Sequence, residues 1–402
     1  MRKITLLLLF VLGVGYAIAQ ESATNGLLVK NTADKLLEKD SKLQIGGYGE
    51  VQYFQPIDDE VYKQGKLDVT RMVLFFGYNF NSRTQFISEI EFEHVKELWV
   101  EQAFLQYKLN NYISLRGGLL LVPMGIINEY HEPTTFLGVS RPYIDRTIAP
   151  TTWREIGIGA AGGYVPAALK YQLYIVNGFN GFDTDAKFNA KNGLRDGRQR
   201  GAESYMTTPN VTGKVEYYGI KGLNLGLSGY FGKSQSKAYE GVAKDDAQKV
   251  ATADSTVIGI SMVGLDARYV NGGLQLRGQG YFTSLSNTDQ YNSYSKNTVK
   301  SGNEIGSQMV GYYLEAGYNV LRFIKGTEKE LVPFVRYEKY DTQHAVEGNT
   351  VKNDANDIKA VVAGLNFKLS AGAVVKADMS FVKSEAATDW TKSVNLGIGV
   401  TF

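Results

Sequence analysis

Residues 392–402, KSVNLGIGVTF, alternate between two kinds of side chain along their whole length. One set is apolar, and comprises Val394, Leu396, Ile398, Val400 and Phe402. The side chains between them are small or polar. Because successive side chains of a β-strand point to opposite faces, this alternation predicts a strand with one apolar face and one polar face. Residues 86–93 repeat the pattern, with three aromatic or aliphatic side chains opposite three glutamates.

Runs of this kind recur from residue 43 to the end of the chain, and we count about sixteen of them. Each is near the ten-residue length that a tilted transmembrane strand needs. The connections between runs alternate between short and long almost throughout, which is typical of outer-membrane barrels. We therefore predict an all-β fold, in which residues 43–402 form one closed antiparallel transmembrane β-barrel of about sixteen strands. The short turns would face the periplasm and the long loops the outside.

Closure of the barrel is required by physical chemistry. Inside hydrocarbon each unpaired backbone group costs several kcal/mol, so a strand that spans a membrane needs a neighbour on both sides. In such a barrel the apolar side chains point outward to lipid, and the polar side chains point inward to a water-filled lumen. The alternation therefore predicts which residues enclose the interior.

The first residues predict export. Arg2 and Lys3 precede an apolar run at residues 4–16, and Ala17-Ile18-Ala19 forms a small-x-small cleavage site, so residues 1–19 are interpreted as a signal peptide. We expect the mature protein in the outer membrane of a Gram-negative bacterium. Residues 20–42 are a polar periplasmic lead-in, for which a short amphipathic helix and a disordered segment are both open.

Composition excludes several classes of function. The chain has no cysteine, which excludes a disulfide framework and thiol chemistry. Loss of the signal peptide removes two of the 43 basic residues and leaves them equal in number to the 41 acidic ones. A neutral chain without a basic face predicts no nucleic-acid partner. We also expect no cofactor.

Residues 122–157, VPMGIINEYHEPTTFLGVSRPYIDRTIAPTTWREIG, interrupt the strand pattern. They hold four of the chain's eight prolines, yet they are too apolar for a freely solvated loop. Long connections with hydrophobic anchors are usually functional. Sixteen strands also enclose more space than side chains alone can fill. The segment is therefore predicted to be a constriction loop that joins the fifth and sixth strands and folds into the lumen.

Charges of opposite sign in this region predict how the loop is held. Three glutamates of one strand face the same side, and the loop carries three arginines. The candidate constriction residues are Glu89, Glu91, Glu93, Glu129, Arg141, Arg146 and Arg154. One hypothesis is that the arginines meet the glutamate strip across the lumen. The alternative is that the arginines bind carbonyl groups of their own loop.

In the other strands, the residues that the alternation directs inward predict a lumen wall with charges of both signs. Its candidate residues are Glu50, Arg116, Lys214, Glu216, Asp266, Arg268, Arg277, Glu315, Arg336, Glu338, Lys376 and Asp378. Several are same-strand neighbours of opposite charge, such as Lys214 and Glu216 or Lys376 and Asp378. Such a wall is either a solvated set of compensating pairs or a transverse field that orients solutes.

The sequence predicts no enzyme. Its three histidines, His94, His131 and His344, have no second histidine at metal-ligand spacing, so no metal site is expected. His131 lies near Ser140 and two glutamates in the loop, and a Ser-His-acid arrangement there stays open because triads are defined by geometry. No Gly-x-Ser-x-Gly turn supports it.

Five segments of the chain resemble the phosphate-selective porin O/P family of Gram-negative outer membranes. They are IGGYGEVQY at residues 45–53, DVTRMVLFFGYNFNSRTQFISEIEFEHV at 68–95, LRGGLLLVPMGIINEYHEPTTF at 115–136, RPYIDRTIAPTTWREIGIG at 141–159 and LVPFVRYEKYDT at 331–342. The resemblance implies a sixteen-stranded trimeric porin with a lumenal loop after its fifth strand. Well-known members bind phosphate through a ladder of lumenal arginines and a central lysine. No residue of this chain is aligned with that ladder.

The sequence therefore leads to a hypothesis of passive diffusion. Small hydrophilic solutes or ions, including anions such as phosphate, would cross through the barrel. The expected partners are outer-membrane lipid, lipopolysaccharide, the solutes and two further copies of the chain. The alternative is a barrel that acts through its surface loops, as an adhesin or a membrane-embedded hydrolase, with the basic connection 177–210 as its docking surface.

Overall fold

The computed structural model describes residues 30–38, 41–297 and 302–402, and these form a closed barrel of sixteen antiparallel strands. In chain order the barrel strands are β1 Leu43–Ile57, β2 Lys66–Asn79, β3 Thr84–Glu93, β4 Glu97–Lys108, β5 Ile113–Leu121, β6 Arg154–Tyr164, β7 Leu169–Val176, β8 Asn210–Ile220, β9 Leu223–Lys233, β10 Gly259–Asn271, β11 Leu274–Ser286, β12 Gln308–Tyr318, β13 Glu330–Ala345, β14 Asp357–Ser370, β15 Ala373–Ser384 and β16 Thr391–Thr401.

Each strand pairs with the next in sequence, and the first pairs with the last. β1 and β16 are antiparallel, with Val51 opposite Ile398 and Tyr48 opposite Thr401. This pairing removes both sheet edges, so no row of backbone donors and acceptors faces lipid. The predicted fold class is confirmed.

Helices in the described residues are short. They are α1 Thr32–Leu37, α2 Ile144–Thr147, α3 Ala247–Asp254 and α4 Thr288–Tyr294. Single 3₁₀ turns occur at Val165–Ala167, Arg195–Gly197, Lys237–Tyr239, Ser295–Asn297, Val320–Phe323 and Asp354–Asn356, and two short strands outside the barrel, Asn180–Phe182 and Gln235–Ser236, pair with each other in parallel. Among the residues described, no helix combines the length and the hydrophobicity needed to cross a bilayer.

The outward face of the barrel is apolar, as the alternation predicts. In β16, Leu396 and Ile398 are 47% and 57% exposed. Asn395, which points toward the lumen, is 3% exposed. In β10 Leu265 is exposed and its neighbour Asp266 is buried. Apolar groups that would be costly in water are stable in this position only because lipid covers them.

The inward face differs from the expectation of a polar wall. Val73, Phe75, Ile87, Phe104 and Met262 point inward and are at most 2% exposed. They belong to a hydrophobic cluster that also includes residues of the inserted loop. The prediction of polar inward residues is wrong at these positions, because the inward side chains there contact protein instead of water.

Two predicted boundaries are tested by the described residues. The loop ends at residue 153, because Arg154 already pairs with Leu121 and begins β6, so the predicted end at residue 157 is four residues too late. Within the lead-in 20–42, the helix α1 is present. The signal peptide 1–19 and residues 20–29 lie outside the described residues.

The assignment of alternate strand residues to the lipid face leads to a first prediction. Val335 lies near the middle of β13 and is 49% exposed, and Val351 lies in the connection after β13 and is 75% exposed. Val335→Arg should lower the free energy of unfolding by about 2–4 kcal/mol, because it moves a charge into hydrocarbon. Val351→Arg is the matched control in water and should change it by less than about 0.5 kcal/mol.

Denaturant titration of the protein in phospholipid bilayers measures both variants. Equal effects of the two substitutions would contradict the assignment of Val335 to the lipid face.

Candidate functional site: the filled lumen

The segment between β5 and β6, residues 122–153, lies inside the barrel, and its residues are buried or half-buried except for Arg146, which is exposed. Both of its ends are held by Asn128. The Asn128 side chain donates to the carbonyl oxygens of Val122 and Trp153 at 2.7 and 2.8 Å, and its Oδ1 accepts from the Trp153 amide at 2.7 Å. We call this segment the lumenal loop. The two ends of the loop are therefore joined by hydrogen bonds within the loop, independently of its contacts with the barrel wall.

One wall contact is made at the start of the loop by Lys214 of β8. The Lys214 ammonium donates to the carbonyl oxygen of Gly125 at 2.6 Å and pairs with Glu129 at 3.1 Å. The same ammonium lies 3.5 Å from Asp266 on β10. A buried lysine with several oxygen partners keeps its charge and ties the loop to two strands.

Lys376 of β15 holds the middle of the loop. Its ammonium donates to the carbonyl oxygens of Phe136 and Gly138, each at 2.9 Å, and lies 3.7 Å from the centre of the Phe136 ring. Beside it, Asp378 accepts a hydrogen bond from the Val139 amide at 2.6 Å. Lys376 and Asp378 thus bind the loop backbone and do not pair with each other as the sequence suggested.

Strand β13 holds the third part of the loop. Glu338 accepts from the Tyr143 amide at 2.6 Å and pairs with Arg336 at 2.8 Å. Arg336 also donates to the Ser140 carbonyl oxygen and pairs with Glu315, each at 3.3 Å. Arg277 lies 3.8 Å from the same Glu315.

The other predicted wall residues form cross-strand pairs. Glu216 pairs with Arg268 at 2.8 Å and lies 3.7 Å from Lys214. Asp266 and Arg268 do not pair with each other, because each has a nearer partner on β8. The prediction of compensating pairs is therefore correct for Lys214/Glu216 and for Arg336/Glu338. The wall is not solvated at these pairs, because Lys214, Glu216 and Arg336 are at most 2% exposed.

Helix α1 enters the lumen from the end with the short turns. The amide and hydroxyl of Thr32 donate to Glu132 of the lumenal loop at 3.0 and 2.6 Å. Asp34 pairs with Lys170 at 2.7 Å and lies 3.7 Å from Arg116. The lead-in is therefore attached both to the loop and to the wall.

The glutamate strip of β3 is met by different partners from those predicted. Glu89 lies 3.2 Å from Nε2 of His131, and Arg71 of β2 pairs with Glu91 at 3.4 Å and with Glu50 at 2.8 Å. Glu93 lies 3.9 Å from His94. The loop reaches the strip through a histidine, and the barrel supplies the arginine.

The hypothesis that the three loop-region arginines meet the strip is wrong for the described contacts. Arg141 donates to the His131 carbonyl oxygen at 2.9 Å, and Arg146 is exposed. Arg154 donates to the Thr152 carbonyl oxygen at 3.4 Å and lies 3.7 Å from Glu101 of β4. The alternative, binding to loop carbonyl groups, holds for Arg141 and Arg154. That these residues constrict a channel stays a prediction.

Sequence reasoning missed Arg71 and Glu101 because each lies at a break in the alternation. In β2 the partners of Glu50 and Val51 are Arg71 and Val69, so Thr70 is an extra residue. In β4 the partners of Glu89 and Ile90 are Gln102 and Val100, so Glu101 is the extra residue. Such β-bulges turn two consecutive side chains inward. Two adjacent polar residues, of which strict alternation would place one on the lipid face, were the available signal in both cases.

The histidines do not form a catalytic arrangement in the described structure. Nδ1 of His131 lies 3.1 Å from the Asn128 carbonyl oxygen, and Nε2 faces Glu89 and Glu101. Both ring nitrogens are therefore engaged by groups other than Ser140. His94 pairs with Asp68 at 2.7 Å, and His344 lies 4.0 Å from Asp341.

Cavities remain at both ends of the barrel. One of about 450 Å³ lies at the end with the long loops, and its lining includes Glu91, Glu93, Arg141, Arg146 and Arg195. We call it the outer vestibule. A second, of about 290 Å³, lies beside α1 at the end with the short turns.

Two spaces beside the lumenal loop are far smaller. They measure about 20 Å³ between α1 and the lumenal loop and about 40 Å³ between the loop and β13–β16, which is room for one to a few water molecules. The expectation of a lumen that the loop merely narrows is therefore corrected. The loop and α1 fill the middle of the barrel in this structure.

The long connection between β7 and β8 also turns inward. Arg195 and Arg198 each donate to the Thr151 carbonyl oxygen, at 2.6 and 2.7 Å. These two arginines, which the sequence suggested as part of an external docking surface, therefore cover the lumenal loop. Lys191 of the same connection is exposed.

Comparison with known proteins identifies a relative in sequence. A protein of Aquifex aeolicus described as "Uncharacterized protein" is 33% identical over 359 residues, which cover 86% of this chain and 77% of that protein. The chain belongs to the family of this Aquifex protein. No protein-family model matches the chain.

Solved structures of outer-membrane porins share the fold of this member of the Aquifex protein's family. Salmonella typhi OmpF in complex with daunomycin matches with a TM-score of 0.57 and 14% identity, covering 90% of this chain and 97% of that one. The anion-selective porin of Comamonas acidovorans matches with a TM-score of 0.54 and 15% identity, covering 90% and 99%. At these identities the comparison establishes a porin-type barrel. The narrower resemblance to the phosphate-selective porin O/P family stays a prediction.

The wall contacts generate a second prediction. Lys214→Met would leave the buried carboxylates of Glu129 and Asp266 without a cation, and should lower the free energy of unfolding by about 3–5 kcal/mol. Lys392→Met is the control: Lys392 pairs with Asp59 at 3.6 Å, with side chains that are 40% and 84% exposed. The exposed pair should contribute less than about 1 kcal/mol. Denaturant unfolding followed by tryptophan fluorescence compares them, and similar losses in both variants would contradict the role of Lys214.

Proposed function

We propose that the chain is an outer-membrane porin, in which small hydrophilic solutes cross the barrel under the control of the lumenal loop. The observation that carries this proposal is a closed barrel with an apolar outward face, whose interior holds a segment of the chain that is contacted by charged wall residues and lies between two vestibules. A barrel built only as a rigid anchor has no need for so many charged groups facing a segment of its own chain. Passage requires no covalent chemistry and no cofactor.

The ends of the barrel suggest the orientation. β1 begins and β16 ends at the side of the short turns, and this side faces the periplasm in barrels of this type. The outer vestibule then opens to the exterior. The interpreted signal peptide, export to the outer membrane of a Gram-negative bacterium, and contact with lipid and lipopolysaccharide belong to the same proposal.

Charge at the outer vestibule favours anions, inorganic phosphate among them. Its lining has five basic side chains against three glutamates: Lys66, Arg71, Arg141, Arg146 and Arg195 against Glu50, Glu91 and Glu93. Among the described residues, Arg146 and Arg195 form no ion pair with a carboxylate. Burial, together with the positive charges of Arg146 and Arg200, lowers the pKa of Arg195 to about 10. A bound anion would relieve this repulsion between cations.

We also propose a homotrimer. One structural neighbour, OmpT of Vibrio cholerae, is described in a trimer form, and it matches with a TM-score of 0.51 at 12% identity over 90% of this chain. Apolar outward side chains serve equally against lipid and against a second barrel. Cross-linking of the protein in outer-membrane fractions, resolved by mass, would reveal the assembly.

Planar-bilayer recording tests conduction. We expect stepwise ohmic currents from the purified protein, and a higher unit conductance for Lys376→Met, because the loop would lose two carbonyl contacts and a ring contact on β15. Lys359→Met is the control: its ion pair with Glu385 is more exposed and lies away from the loop. Absence of current from both the wild type and Lys376→Met would overturn the porin proposal.

Ion preference is tested by the reversal potential under a potassium chloride gradient. The double variant Arg146→Ala/Arg195→Ala should shift the potential toward cation preference, because it removes two unpaired charges from the entrance. Added phosphate should reduce the chloride current of the wild type more than that of the double variant. Lys191→Ala, an exposed charge of the same connection, should leave the potential unchanged. A shift of equal size in Lys191→Ala would reject the vestibule as the selective element.

A further inference from the structure

We propose that Glu89, Glu101 and His131 form a binding site for a divalent transition-metal ion, with zinc as the best-matched ion, which fastens the lumenal loop to the barrel wall. The three residues come from β3, from the bulge in β4 and from the loop. One donor atom of each lies within 4.8 Å of the others, and all three side chains are buried. The sequence predicted no metal site because its histidines lack a second histidine at ligand spacing.

Distances between the donor atoms match a tetrahedral site. Nε2 of His131 lies 3.2 Å from Oε1 of Glu89 and 3.4 Å from Oε2 of Glu101. The Tyr48 hydroxyl lies 3.3 and 3.5 Å from the same two oxygens. Zinc bound at about 2.0–2.2 Å places tetrahedral ligands roughly 3.3–3.6 Å apart. Small adjustments would therefore bring the atoms around one ion.

The orientation of the imidazole leaves Nε2 available as a ligand. Nδ1 lies 3.1 Å from the Asn128 carbonyl oxygen, which only accepts, so Nδ1 carries a proton. In the neutral ring Nε2 then directs its lone pair at two carboxylates, a repulsive contact unless a cation lies between them. Ligating histidines commonly fix their other nitrogen on a backbone carbonyl in this way.

Neighbouring groups hold the carboxylates in place. The Gln102 side chain donates to Oε2 of Glu89 at 2.7 Å, which leaves Oε1 directed at His131. The other oxygen of Glu101 accepts no hydrogen bond although the side chain is fully buried, and its contact with Arg154 is 3.7 Å long. A buried carboxylate with so few partners is itself a sign of a missing cation.

The charge balance points the same way. Four buried carboxylates, Glu50, Glu89, Glu91 and Glu101, surround two guanidinium groups, Arg71 and Arg154. With His131 neutral, this region has an excess of two negative charges, which one divalent ion neutralises. A protonated His131 supplies only one positive charge and is the competing state. Only the state with a neutral His131 can bind a metal ion, because a protonated Nε2 has no lone pair to donate.

Isothermal titration of the full-length protein in detergent, after treatment with EDTA and dialysis, tests the site with ZnCl₂. We expect saturable binding of one Zn²⁺ per chain and a higher Tm for the zinc-loaded protein, because the ion cross-links the loop to β3 and β4. Gln102→Ala should weaken binding by about 10–100-fold, since it frees Glu89 to turn. X-ray absorption of the zinc complex should report one imidazole among nitrogen and oxygen ligands.

Glu101→Gln and His131→Asn should abolish both the stoichiometric binding and the zinc-dependent rise in Tm. Glu93→Gln, a half-buried glutamate of the same strip, should retain both. Folding of each variant is checked by its heat-modifiable migration in SDS gels. For a variant that does not fold, the wild-type stoichiometry and the absorption spectrum decide.

Absence of stoichiometric zinc binding by the wild type would overturn the site, as would binding that persists in folded Glu101→Gln and His131→Asn. The assay needs no conduction, so it can fail or succeed independently of the porin proposal.

Discussion

The backbone of a membrane-spanning chain must find all its hydrogen-bond partners within the protein. Lipid offers neither donors nor acceptors, and each unpaired group costs several kcal/mol. In this protein the pairing of β1 with β16 meets that requirement for both outer edges at once. Closure of an antiparallel ladder in chain order needs an even number of strands, so β1 begins and β16 ends at the same end of the barrel.

Closure with sixteen strands has a consequence for the interior. The enclosed space exceeds what the inward side chains alone can fill, and an empty apolar lumen would be unstable. The lumenal loop and α1 occupy that space, and the wall contacts them with buried charges. Lys214 and Lys376 each direct an ammonium group at loop carbonyl oxygens. These contacts satisfy the lysines and at the same time give an otherwise irregular segment a single position.

The lumenal loop is held both by polar contacts with the wall and by apolar packing, since Met124, Ile144 and Trp153 belong to the buried hydrophobic cluster. The carbonyl–ammonium bonds and the histidine between two glutamates give the loop a defined position among these apolar contacts. This combination is consistent with a channel whose conducting path depends on the loop.

Much of the molecule was predictable from the printed residues. The period of two in residues 392–402 and 86–93 identified strands, and the alternation of short and long connections indicated a barrel. The apolar outward face is likewise a local property, since Leu396 and Ile398 differ from Asn395 by position in the alternation. The inward charges Lys214, Glu338 and Lys376 were found for the same reason, although their partners were not.

The sequence by itself determined the fold class, the outward face and the segment that leaves the strand pattern. Only the tertiary structure decided what that segment contacts, because contacts across a lumen join residues that are far apart in the chain and obey no local period. The bulges at Thr70 and Glu101 shift the alternation by one residue, so the alternation did not predict that Arg71 and Glu101 point inward. His131 meets the glutamates in place of the arginines because loop geometry, fixed by Asn128, selects which side chain reaches the wall.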